Sequence, residues 1–103
     1  MSTDWARVAD MLDTVANLLD GGPGLSPDGA VRIALAGHPN AQIPDDYSEV
    51  SRFYDEVTMA LVCDHADLYL GRESDPLPAD EINAEEGARA ARAAAVRLRS
   101  YLH

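Results

Sequence analysis

The chain has 103 residues, 47% of them apolar, and a formal charge of −10 at pH 7. At this length folding buries roughly 60–70% of the surface that the unfolded chain exposes, enough for a core without covalent staples. A lone cysteine excludes an internal disulfide and a four-cysteine zinc site, and the net charge argues against direct nucleic-acid binding.

All eight basic side chains are arginines and alanine occurs 17 times, a bias of the kind that high-GC bacterial or bacteriophage genes produce. Ser2, Thr3 and Asp4 follow Met1 without a basic-then-apolar leader. The longest apolar run, Met59 to Cys63, is far short of the roughly 20 residues of a membrane span. These features predict a cytoplasmic protein that does not enter membranes.

Glycine and proline clusters at residues 20–24, 38–40 and 71–78 cut the chain into four pieces. In the first, Trp5, Val8, Leu12, Val15 and Leu19 recur at spacings of three and four, which predicts a helix over residues 4–20. Ser2 or Thr3 is the expected cap, and Gly21 suits a left-handed exit. In the second, Ser26-Pro27 starts a helix over residues 27–36 and Gly37 ends it. Val31, Ile33 and Leu35 alternate as a strand would, but a lone strand has no partner in this chain, so helix is the reading and strand the alternative.

The third piece predicts the longest and most central helix, over residues 46–70, capped by Asp45 or Asp46. Tyr47, Val50, Phe53, Tyr54, Val57, Leu61 and Leu68 share its apolar face. Met59, Val62, Cys63 and Leu70 lie on other sides, so the helix is expected to be buried nearly all round. In the fourth, over residues 79–102, Asp80 is the expected cap. Glu81, Glu85 and Glu86 begin it and Arg89, Arg92, Arg97 and Arg99 end it, as the helix macrodipole prefers. Ala84, Ala88, Ala91, Ala95, Leu98 and Leu102 form a small-residue seam, with the arginines expected on the opposite side.

Few residues suggest chemistry. Gly21-Gly22-Pro23-Gly24 lacks the Lys-Ser/Thr of a phosphate loop and reads as a turn. Cys63, Asp64 and His65 are consecutive, but neighbours on a helix point about 100° apart and do not converge on one metal. The expectation is a buried thiol and a structural polar pair, with Asp64 bonded to His65, to an arginine of another helix or to Tyr101. Charge segregation is the strongest feature. All 18 acids and four arginines lie in residues 1–86, net −14, against four arginines and no acid in residues 87–103.

These observations predict one all-α domain over residues 1–103, a bundle of three long helices plus a short helical segment at 27–36. The first functional expectation is a non-catalytic interaction module with no cofactor and no metal. It presents acids to a basic or nucleic-acid-binding protein as a regulator or inhibitor, with DNA mimicry as the sharpest form. The candidate partner-binding residues are Asp10, Asp13 and Asp20 on the first helix and Glu49, Asp55 and Glu56 on the third. The second expectation is a structural protein that forms a homodimer through the alanine seam. The third is a small enzyme or ligand-binding bundle around Asp64 and His65.

Overall fold

The computed structural model describes residues 4–22, 24–43, 48–71 and 74–101, and these form four α-helices with no strand. They are α1 (Trp5–Gly21), α2 (Pro27–Ala36), α3 (Glu49–His65) and α4 (Ala84–Ser100). The expected caps Ser2, Thr3, Asp45 and Asp46, and the stripe residues Tyr47 and Leu102, lie outside the described residues.

Each helix starts where a side chain meets an otherwise unbonded backbone N–H. Asp4 caps α1 by accepting from Arg7 N. Ser26 caps α2 by accepting from Gly29 N at 3.0 Å, and Gly37, at φ 83°, closes it by donating to Ile33 O at 2.8 Å. That pair of caps settles residues 27–36 as helix. Ser48 caps α3 through Ser51 N at 3.2 Å. At the end of α3 the coil widens into one π turn over Ala66–Leu70, closed by Gly71 N donating to Ala66 O at 3.0 Å.

Several expectations change. The cap of α4 is Asn83, not Asp80, and residues 79–82 form a turn that buries Ala79 and Ile82. Asn83 prevails because its Oδ1 accepts from Glu86 N at 2.8 Å while the Glu86 side chain is itself anchored to α3. The left-handed glycine after α1 is Gly24, at φ 87°, and not Gly21. α3 is not buried all round: Val50, Met59 and Cys63 are exposed, as are Leu68 in the π turn and Trp5 at the start of α1.

The central pair is α1 and α4, which share the most extensive interface, and α3 packs across them. Val8, Leu12, Val15, Ala16 and Leu19 of α1 meet Ala88, Ala91, Ala94, Ala95 and Leu98 of α4 in one buried cluster, with Leu61 and Val57 of α3 fully enclosed. Alanines let the two backbones approach closely. The seam is therefore filled within the chain. The helix α2 docks through Ala30 and Val31, and is tied to α3 by a polar cluster. Arg32 Nε donates to Asp28 Oδ2 at 2.8 Å, and Tyr54 Oη donates to Asp28. Burial, reinforced by that bond, pushes the Tyr54 phenol above its ordinary pKa.

Gly87 marks a tight crossing of α4 over the start of α2. A Cβ there would lie 2.4 Å from Pro27 Cγ and 3.2 Å from Leu19 Cδ1, so α4 crosses the start of α2 only because the side chain is a hydrogen. Helix propensity alone favours Gly→Ala by about 1 kcal/mol. Gly87→Ala should nevertheless destabilise by about 1–3 kcal/mol, because the proline ring cannot swing aside. Urea denaturation measures this, and a neutral or stabilising result would show that the helices do not meet there.

Candidate binding surface and buried ion pairs

The acidic row of α1 follows helical spacing, with Asp10, Asp13, Asn17 and Asp20 on one face. α4 runs antiparallel beside it, and Arg92 and Arg99, seven residues apart, point to the same side. Arg99 Nη2 lies 2.8 Å from Asp10 Oδ1 and 2.7 Å from Asp13 Oδ2. Arg92 Nη2 bonds Asn17 Oδ1 at 3.3 Å and pairs with Asp20. The arginines thus reach sideways across the α1–α4 interface rather than standing opposite the seam. These pairs are solvent-exposed, so screening by water leaves each with little effect on stability. Their larger effect is to neutralise the row.

The six candidate residues therefore fall into two sets. Asp10, Asp13 and Asp20 are matched by arginines of the same chain. On α3, Glu49 and Asp55 are exposed and Glu56 is half-buried. Asp55 and Glu56 form the rim of an open groove of about 400 Å³. Its walls are Trp5 of α1, Met59, Ala60 and Cys63 of α3, and Arg97 and Leu98 of α4. Cys63 is thus a surface thiol and not a core residue, because it follows Met59 by one turn on the outer side of α3.

Asp64 and His65 are both buried, and they diverge as consecutive helical residues must. Asp64 takes a two-pronged bond from Arg97, with Nη2 2.9 Å from Oδ2 and Nε 3.2 Å from Oδ1. The fork of the guanidinium matches the carboxylate, and this bond raises the Arg97 pKa above its ordinary value. Of the three partners expected for Asp64, the arginine of another helix is the one found. His65 turns the other way, and its Nε2 lies 2.7 Å from Glu86 Oε1. The other ring nitrogen of His65, Nδ1, is buried with no hydrogen-bond partner among the described residues. Tyr69, in the π turn, packs on the imidazole at 5.0 Å between ring centroids.

Glu86 and Arg97 are eleven residues apart, about three turns, and so share a face of α4. Neighbouring residues of α3 thereby pin α4 at two points. The sequence carried this signal in the three-turn spacing of Glu86 and Arg97, but an arginine tail is assigned to solvent unless its partner is known. The thiol of Cys63 is exposed while the His65 ring is buried against Glu86, so the two do not form a nucleophile–base pair. Among the described residues no group of three or more His, Cys, Asp or Glu side chains is placed to hold a metal ion. None of the described helices is long and apolar enough to cross a membrane.

Two predictions follow from the pins. Arg97→Met leaves the Asp64 carboxylate buried and unmatched, and should cost about 1–3 kcal/mol. Arg97→Met with Asp64→Leu should recover most of that loss, because no buried carboxylate is then left without a partner. Equal loss in the single and double variants by denaturant titration would contradict the pairing.

Glu86 is held below the usual carboxylate range, chiefly by its bond with His65 and secondarily by Asn83. A carboxylate whose pKa is lower folded than unfolded contributes stability above its unfolded pKa and loses it as pH falls through the folded one. The stability gap between the wild type and Glu86→Gln should therefore be full near about pH 6 and shrink as pH drops through the carboxylate range near about 4. A gap that widened on acidification would contradict this assignment. The chain matches no protein-family model, no curated protein and no solved structure, so its functional reading rests on these residues.

Proposed function

We propose that this chain is a non-catalytic, cytoplasmic interaction module that binds a basic protein through the acidic side of α3. One observation carries the reading: Arg92, Arg97 and Arg99 are all engaged by carboxylates of α1 and α3. Three of the four arginines at the cationic end of the sequence are thereby neutralised within the fold. Glu49, Asp55, Asp67, Asp75, Asp80, Glu81 and Glu85 remain exposed to solvent, in a chain of net charge −10. A surface with that excess steers cationic partners and repels nucleic acid and anionic lipid. The partner is an arginine- or lysine-rich protein, including one that binds nucleic acid, whose phosphate-binding groove these carboxylates would occupy as a regulator or inhibitor does.

The test compares two sets of neutralising substitutions against a basic protein captured from the host on the immobilised chain. Glu49→Gln, Asp55→Asn and Glu56→Gln together should weaken binding at least about tenfold at low salt, about 1.4 kcal/mol, and flatten its salt dependence. Asp10→Asn, Asp13→Asn and Asp20→Asn together should leave affinity nearly unchanged and instead lower the melting temperature slightly. A captured partner with no basic surface, or an affinity indifferent to salt and to the α3 set, would overturn the proposal.

A further inference from the structure

The groove between the start of α1, the outer side of α3 and the end of α4 is apolar where a folded chain gains nothing from being apolar. Met59 is 62% exposed and Trp5 is 40% exposed, and both stand on its walls above the buried Leu98 and Ala60. The one guanidinium in the lining, Arg97, is already forked onto Asp64. Among the described residues of the lining, no cationic group is left to fix a small anionic ligand. Tryptophan is enriched among the residues that dominate binding energy, and methionine adapts its shape to a partner.

We propose that this groove seats an amphipathic helix of the basic partner, an inference that rests on the acidic-module reading above. From Asp55 to Cys63 the α3 wall spans eight residue steps, about 12 Å, which is two turns of a helix lying alongside it. A helix with apolar side chains at i, i+3 or i+4 and i+7 places them against Trp5, Met59 and Leu98. Its lysines or arginines, standing beside those anchors, meet Asp55 on the rim. Charge also disfavours the other obvious occupant. A second copy of this chain brings another net −10 to a rim that already carries carboxylates.

Trp5 is the only tryptophan, so its emission reports occupation of the groove directly. Random peptides of about 16 residues, long enough to form a helix on a surface, are selected on the immobilised full chain. The enriched sequences should carry apolar residues at helical spacing interleaved with Lys or Arg, and their binding should shift Trp5 emission to the blue. Met59→Asp is the decisive variant, because it adds a negative charge while destroying the apolar seat, at a site too exposed to unfold the protein. It should weaken the selected peptides by at least about thirtyfold. Basic peptides whose affinity is unchanged or improved by Met59→Asp would overturn the groove and leave the acidic-module reading intact. Selected peptides with no basic bias would overturn both. A wild-type dimer in light scattering that Met59→Asp dissociates would assign the groove to a second copy and overturn the proposal.

Discussion

The close approach of α1 and α4 is the constraint on which the rest of this structure depends. Five alanines of α4, Ala88, Ala90, Ala91, Ala94 and Ala95, are at most 2% exposed, and they bring its backbone against the larger aliphatic ridge of α1. Small residues supply little transfer free energy each, so the interface works by bringing two helices close along their length and enclosing Leu12, Leu19 and Leu98 between them. The same closeness appears at its end, where Gly87 passes the Pro27 ring. A helix that packs this tightly leaves its long side chains only the flanks of the interface. Arg92, Arg97 and Arg99 accordingly emerge along those flanks, within reach of the α1 carboxylates on one side and of Asp64 on the other.

That geometry converts a charge pattern in the sequence into a different pattern on the surface. Read linearly, the chain is acidic for 86 residues and basic for 17. Folded, its basic segment lies antiparallel to the acidic row of α1, and the two cancel locally. The excess negative charge shifts to α3 and to the segment leading into α4. The groove lies on the border of this region, where the α3 carboxylates meet exposed apolar side chains. An acidic surface by itself gives rapid encounter and little selectivity. On the proposed reading, an apolar seat beside it would supply the contact that a salt-screened encounter lacks.

The sequence made the helices legible because their signals are local. Val8, Leu12, Val15 and Leu19 define α1 by periodicity alone, and Ser26, Pro27 and Gly37 bracket α2 by cap chemistry alone. The misplaced start of α4 shows the limit of local reasoning. Asp80 and Asn83 are both good caps, and the choice between them is made by His65, eighteen residues before Asn83, which anchors Glu86 in the first turn. The exposure of Met59 and Cys63 was hidden for a related reason. Composition marks a residue as apolar, but only the positions of α1 and α4 decide which side of α3 is covered. Asp64 was legible as a group needing a partner, with an arginine of another helix among the candidates, but which arginine was not, because the three-turn spacing of Glu86 and Arg97 gains meaning only once α3 lies across α4.

Native-state hydrogen exchange tests the primacy of the α1–α4 interface most directly, since it reports which helices open together. The interface makes α1 and α4 one cooperative unit, so the amides from Val8 to Leu19 and from Ala88 to Leu98 should exchange most slowly. They should do so with a common free energy equal to that of global unfolding. Exchange of the α4 amides at a lower free energy than those of α1, through an opening that leaves α1 and α3 folded, would contradict the account.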